Sequence, residues 1–443
     1  MDVGRCNLIL LASFLLTFSA TSLCAQTAPQ SAASGRIQEI AIKGSEKVAT
    51  PEIIAASGLR VGDIVGRDQI QAAADRLAAL GIFDSVNFHF TSKGDTLSIE
   101  FEVKDAPTVP VSFDNFVWFT DDELAAAIRE KVGFFGGFAP QGGTLVDEMS
   151  KAIDDLLAKH AIPGRIEHSF ISNPTGDGMI QQFRADRPDL IVQSVEFGDP
   201  LATNSERLKD RLSDIKGQVY SRYKIDVFDL EQVRPIYDAA GHLRARIGPS
   251  QAHLASGAAA VPGQNGETLV AVTIPIEPGP VFQWRGVTWL GSSVISTSTL
   301  DQLVGFKPGD VANGLNITAA WQRVADEFSN HGYLDANLDF HPEFDDAAHQ
   351  VSYRVTINEG AQYHMGDLVI TGLSLEAERR LRAAWQIPTG QVFNGGYFEK
   401  LLTKLATPSE EIFGDLPVHY AQPGHWLQKH SDAPIVDVLL DFK

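Results

Sequence analysis

Phe282-Gln-Trp-Arg-Gly-Val-Thr-Trp-Leu-Gly291 and the residues after it, up to Gly360, compose one complete supersecondary unit. Large apolar and polar residues alternate from Phe282 to Val287, the period of a half-buried strand, and Gly291 closes the run at a turn. Ser298 is placed to cap a short helix over Thr299–Val304, which Gly305 stops. The loop Phe306-Lys-Pro-Gly-Asp310 leads to a second helix starting near Asn316. Its Ile317, Trp321, Val324 and Phe328 follow at intervals of four, three and four, so they share a face. His331-Gly332 ends it, and Gly332 is expected in a left-handed conformation. Two alternating runs, Ala336–Phe340 and Val351–Ile357, complete the order strand, helix, helix, strand, strand.

The order recurs. Ile37–Ile42 is a strand turned at Lys43-Gly44, Thr50 caps a helix with Pro51 at its first position, and Leu59-Arg-Val-Gly-Asp63 fills the slot held later by Phe306–Asp310. Asp68 caps a helix with the stripe Ile70, Ala74, Leu77 and Leu80, and Val86–Phe90 and Leu97–Val103 are the closing strands. Residues 108–187 form the least regular copy. It has Val109–Phe113 as a strand, Thr120 capping Asp121–Lys131, a glycine-rich segment Gly133–Gly143 read as a mobile loop, and a helix Val146–His160. A third copy has Ile191–Phe197, the slot Lys216–Val219, a helix Phe228–Ala240 kinked by Pro235, and strands Leu243–Ile247 and Leu269–Ile274 around an Ala/Gly/Ser/Pro-rich insertion, 248–266, read as disordered. The last has Tyr363–Ile370, the slot Ile387–Gln391 and a closing strand Pro434–Phe442.

This order, with a glycine after the first strand, Phe-Lys-Pro-Gly-Asp310 between the helices and His-Gly-Tyr333 before the second strand, resembles the POTRA (polypeptide-transport-associated) domain. The resemblance implies an α+β fold: tandem POTRA-like β-α-α-β-β units, each a three-stranded sheet covered by two helices. The units expected are 37–107, a divergent 108–187, 188–279, 280–360 and 361–443. It also implies a place on the periplasmic side of the outer membrane. In barrel-assembly proteins a transmembrane barrel follows the last such unit and would need hundreds more residues than remain after Phe442.

Leu8–Phe18 is an apolar run too short to span a bilayer, preceded by Arg5 and followed by small residues, so residues 1–25 read as a secretory signal and 26–36 as a flexible tether. A lipid anchor at Cys24 is disfavoured because Leu23 stands where such signals need a small residue. Cys6 and Cys24 are the only cysteines and both lie in the signal, which leaves no disulfide and no thiol nucleophile in the mature chain. A net charge of −20 over 443 residues argues against nucleic acid or anionic lipid as the main ligand. No later segment is apolar enough to be a membrane-spanning helix.

The chemistry of an enzyme is not found. Gly133–Gly143 lacks the Gly-Lys-Ser/Thr ending of a phosphate cradle, and there is no Gly-x-Ser-x-Gly, His-Glu-x-x-His or dinucleotide fingerprint. His341, Asp345, Asp346 and His349, and the group His419, His425 and His430, lack the fixed spacing of zinc sites and read as solvated loops. Trp284, Trp289 and Trp321 read as core by their phase. No catalytic residue, metal or cofactor is therefore assigned.

A three-stranded sheet leaves outer strands with unpaired backbone groups, a template for another strand. By resemblance to POTRA domains the second strand is the accessible edge. The candidate partner-binding residues are Val86, Asn87, Phe88, His89 and Phe90; Leu243, Ala245 and Ile247; and Ala336, Leu338 and Phe340. The function expected is a periplasmic scaffold that binds unfolded or partner polypeptides, an outer-membrane barrel protein among them, by strand addition. The competing expectation is a docking subunit that holds partner proteins without touching clients.

Overall fold

The computed structural model describes residues 34–255 and 268–442. The signal segment with Cys6 and Cys24, most of the tether and residues 256–267 of the insertion lie outside the described residues. The described chain forms two compact units, one of residues up to Val109 with Lys131–Met149, the other of Pro110–Glu130 with Ser150 onward.

In the first unit, β1 (Gly35–Lys43), α1 (Thr50–Ser57), α2 (Arg67–Ala79), β2 (Phe83–Lys93) and β3 (Thr96–Asp105) follow one another. The central β3 runs parallel to β1 and antiparallel to β2. Ile70, Leu77, Ile37 and Phe101 are buried between helices and sheet, as the period of four and three along α2 dictates. Three expectations are corrected. Gly35 and Arg36 belong to β1 rather than a tether. Thr50 is the first helical residue, not the cap. The cap of α2 is Gly66, whose N–H donates to Gln69 Oε1 at 2.9 Å, not Asp68. The segment 133–143 holds a short strand, Phe138–Pro140, in which Ala139 and Pro140 are buried.

β4 (Thr108–Phe113) and, beyond α3 (Asp121–Lys131), α4 (Thr144–Lys159) carry the chain from the first unit into the second. Thr120 does cap α3: its hydroxyl accepts from Glu123 N while Glu123 Oε2 accepts from Thr120 N at 2.8 Å, a reciprocal box. β5 (Ile166–Ser172) and β6 (Met179–Ala185) follow, with β6 parallel to β4 and antiparallel to β5.

Next come β7 (Leu190–Phe197), α5 (Glu206–Arg211), α6 (Arg222–Phe228), α7 (Arg234–Ala239), β8 (Gln251–Leu254) and β9 (Thr268–Ile274). Asp229–Val233 between α6 and α7 is one turn of π-helix, so residues 222–239 are helical without a break, and Pro235, which has no N–H to donate, lies just after the turn where the helix widens. The expected strand Leu243–Ile247 is not in this sheet. Leu243 packs against the neighbouring core around Phe282, Ala245 is buried in a turn, and only Arg246–Ile247 pair, with Ile276–Glu277 outside the sheet. The edge beside β9 is instead β8, inside the stretch expected to be disordered.

The fourth group is β10 (Gln283–Leu290), α8 (Thr297–Val304), α9 (Gly314–Asn330), β11 (Asn337–Asp345) and β12 (Gln350–Asn358). The fifth is β13 (His364–Thr371), α10 (Leu375–Ala384), α11 (Gly395–Lys404), β14 (Gly424–Lys429) and β15 (Ile435–Asp441). Both sheets have the order first, third, second strand. Ser296, not Ser298, caps α8 by accepting from Thr299 N, and Asn313 caps α9, which therefore starts at Gly314. Ile317, Val324 and Phe328 are buried, and Trp321 stacks on Phe340 with ring centroids 4.7 Å apart. Trp284 and Trp289 belong to the same aromatic cluster.

One steric fact explains the glycine that follows the first strand. A Cβ on Gly44, Gly291 or Gly372 would lie 2.0, 2.3 or 1.8 Å from the carbonyl oxygen of Val103, Ile357 or Phe442, at the end of the strand paired with it. Two parallel strands end so close together there that only hydrogen fits. The architecture is α+β, with small sheets of three or four strands packed against helices and one two-stranded pair.

Candidate functional site: the sheet edges

Each sheet has two edges, and the chain treats them differently. The loop between the two helices folds back along the first strand. Gly309 N donates to Trp284 O (2.8 Å), Trp284 N to Asp310 O (2.7 Å) and Ala312 N to Phe282 O (2.9 Å). Gly217 and Val192, Gly390 and Met365, and Gly62 and Ile37 repeat the pattern at 2.8, 2.7 and 2.8 Å. The slots recognised in the sequence as spacers between helices thus occupy the backbone groups of β10, β7, β13 and β1. The later edge strand of each sheet, β2, β5, β8, β11 or β14, is outermost on the other side among the described residues. Outer strands present free N–H and C=O groups to an incoming strand.

The structure places Val86, Asn87, Phe88, His89 and Phe90 on β2, in register with Val103, Glu102, Phe101, Glu100 and Ile99. Phe88 is half-buried and packs on Phe101 and Phe90, while Phe90 is 38% exposed. Leu338 and Phe340 lie on β11 opposite Ile357 and Val355, and Ala336 precedes the strand. Leu243 and Ala245 are on no strand, and Ile247 lies in a two-residue strand paired with Ile276–Glu277 outside the three-stranded sheet. β11 carries Pro342, which has no N–H to donate, so its open side is interrupted in a way that β2 is not.

Sequence reasoning passed over the edge of the last sheet. β14 is exposed along most of its length, with Trp426 56% exposed and opposite Leu439, itself opposite Val369 on β13. The three make an apolar stripe across the sheet face turned away from the helices. The corresponding face of the fourth sheet carries Asp339, Thr356 and Leu290, or His341, Arg354 and Thr288, in its rows. The alternation His425-Trp-Leu-Gln-Lys429 is weak because Trp426 has no core to enter, so it gave no strand signal.

Electrostatic perturbation is concentrated elsewhere, around α6. Asp114 is buried and accepts from Ser221 Oγ at 2.9 Å and Tyr223 N at 3.0 Å. Arg222 pairs with Asp121 at 2.8 Å. Burial pushes Asp226 up to about 6 against the pull of Arg222, and burial with the Asp226 charge pushes Asp229 up to about 8. Asp229 Oδ1 has no hydrogen-bond partner. A carboxyl in such surroundings keeps its proton at neutral pH.

Among the described residues no three His, Cys, Asp or Glu side chains stand together as a metal site, and no helix is long and apolar enough to cross a membrane. His341 pairs with Asp339 and His430 with Asp437, and Asp346 is engaged by Arg244.

Residues 35–106 and 282–360 match the POTRA family model, described as "Surface antigen variable number repeat". Over 311 residues the chain is 22% identical to a Treponema pallidum (strain Nichols) protein named "Putative outer membrane protein assembly factor". That alignment covers 68% of this chain, which spans 35% of the relative's length. Among solved structures, POTRA domains 3–5 of Haemophilus influenzae BamA are 16% identical with a TM-score of 0.43, over 64% of this chain and 99% of that one. BamA of Haemophilus ducreyi lacking POTRA domains 1–3 is 15% identical with a TM-score of 0.31, over 37% and 29%. The chain thus carries domains of the POTRA family at residues 35–106 and 282–360.

Proposed function

We propose that this chain is a non-catalytic, periplasmic polypeptide-binding scaffold that supports outer-membrane protein assembly or secretion by adding client strands to its sheet edges. Five such domains, with boundaries near residues 107, 187, 279 and 360, make up the proposed array. One observation carries the reading. The interhelical loop hydrogen-bonds to the first strand in four of the sheets, while no further strand pairs with the opposite edge strand among the described residues. Backbone pairing supplies affinity with little demand on sequence, and side chains at alternate positions set preference. The name of the Treponema relative supports assembly as the process served.

The edges differ in fitness for this role. β2 is 11 residues long and free of proline, whereas β8 has 4 residues and β11 carries Pro342, which has no N–H to offer. β2 and β14 are therefore the principal sites proposed, with β11 secondary.

The test is binding of extended peptides of alternating apolar residues to the full chain and to Phe88→Pro, Leu338→Pro and Leu427→Pro variants that keep native circular dichroism and melting. Phe88→Pro and Leu427→Pro are expected to weaken binding at least tenfold, because each removes an amide donor and disturbs pairing, and Leu338→Pro less. Binding should survive moderate salt, since backbone pairing is not a long-range charge effect. Folded proline variants that all bind as the parent does would overturn strand addition. Partner capture that instead falls steeply with salt would favour the docking subunit.

A further inference from the structure

The glycine-rich segment 133–143 takes no part in strand addition, yet it walls a cavity of about 350 Å³ inside the first compact unit. Phe135, Leu145, Met149 and Ile82 form its base and are buried. The mouth is framed by Phe134, half-buried Val48 and Phe138, which is 56% exposed. Only Lys47 and Thr108 bring polar side chains to it. Lys47 Nζ donates to Ala106 O at 2.7 Å and stands 3.5 Å from Thr108 Oγ1. Asp105 Oδ2 accepts from Lys47 backbone N at 3.1 Å, but no carboxylate pairs with Lys47 Nζ among the described residues, and an ammonium has three donors to place.

We propose that this cavity binds one unbranched, medium-length acyl chain ending in a carboxylate. The chain lies among Phe135, Leu145 and Met149, and the carboxylate rests on Lys47 and Thr108. The volume is near the lower limit of small-molecule pockets, about 300 to 1,000 Å³, enough for one chain and too little for a two-chain lipid. A cavity with this lining holds no water well, since water needs two to four polar partners. Aromatic rings and a thioether adapt to a flexible hydrocarbon. The lone cation at the mouth selects a single anionic group within a chain whose overall charge is −20. The short strand Phe138–Pro140 holds the wall in place, so a segment whose glycines suggest mobility forms one side of a fixed pocket.

The full chain is titrated calorimetrically with octanoate, decanoate, dodecanoate and decanol, and separately with phosphatidylglycerol vesicles. One saturable site is expected, tightening about tenfold for each two added carbons, as about 0.8 kcal/mol per buried methylene requires, until the cavity is full and affinity levels off. Lys47→Gln should weaken decanoate several-fold and leave decanol unchanged. Val48→Trp, filling the mouth, should abolish both, and Phe138→Glu, which sets a like charge at an exposed position of the mouth, should weaken decanoate more than decanol independently of how Val48 packs. Variants are compared only where their melting matches the parent. The proposal is overturned by the absence of saturable binding. It is equally overturned by affinity that rises with length without levelling and ignores both mouth variants, which marks surface adsorption, or by binding to vesicles alone, which marks a membrane surface.

Discussion

Ser221 donates its hydroxyl to the buried Asp114 carboxyl at 2.9 Å, across 107 residues of sequence, and the same carboxyl oxygen accepts from Tyr223 N. Ser221 is also the cap of α6, since its oxygen accepts from Lys224 N. The start of one helix and the end of β4 are thus fixed by one acid. Asp114→Ala strands one buried and one part-buried donor, so stability should fall by about 2–3 kcal/mol, whereas Asp114→Asn, which keeps an acceptor, should lose less. Hydrogen exchange over residues 221–228 should quicken in the Ala variant. Exchange unchanged from the parent would show that the contact does not hold α6.

The pH dependence follows from Asp229, pushed up to about 8 by burial and the Asp226 charge. An unfolded Asp ionises near 3.8, so between that pH and 8 the unfolded chain has released a proton that the folded chain keeps. The contribution to stability is therefore whole below about pH 4, declines as pH rises to 8 and is flat beyond. Asp226, at about 6, adds a decline of similar slope that ends earlier and is smaller in total. Asp229→Asn should melt higher than the parent at pH 8, with the difference shrinking at pH 5. A difference that grows on acidification would reverse the assignment.

Phe328 has no exposed surface and sits in the core with Phe282, Val324 and Val355. Phe328→Ala is expected to cost about 3–5 kcal/mol. Thermal melting checks it, and an unshifted transition would remove Phe328 from the core.

Gly332, at φ 83°, closes α9, and a Cβ there would come within 2.8 Å of Val392 Cγ1 and 2.9 Å of Tyr363 O. Gly332→Ala should therefore destabilise by about 1 kcal/mol or more through backbone strain alone, with the clash added. Gly309→Ala provides the comparison, since its φ of 93° is equally unfavourable but nothing lies within 4 Å of its Cβ. Equal losses at the two positions would mean that the fit against Tyr363 and Val392 contributes nothing.

What was legible in the chain depended on how local its cause was. The stripe Ile317–Phe328 and the left-handed Gly332 follow from helical period and a single steric rule, and both can be read without knowing what they touch. The cap of α8 was misplaced by two residues because Ser296 and Ser298 are chemically equal, and only the approach of the chain from Ile295, buried in the core, decides between them. Leu243–Ile247 has the alternation of a strand, but Leu243 is claimed by the core around Phe282, a competition invisible to any window of residues. β14 was missed for the opposite reason, because an exposed edge strand whose Trp426 faces solvent has no buried partner to impose a pattern.

The hydrogen bonds from Gly309, Gly217, Gly390 and Gly62 to the first strands have a consequence for stoichiometry. A sheet with both margins available is bifunctional and can polymerise like any two-ended monomer. Sheets closed in this way offer one margin each, so a pairing between two of them terminates at that pair. The chain carries several such margins, so its valence is set by the number of open edges and not by two-ended growth of any one sheet.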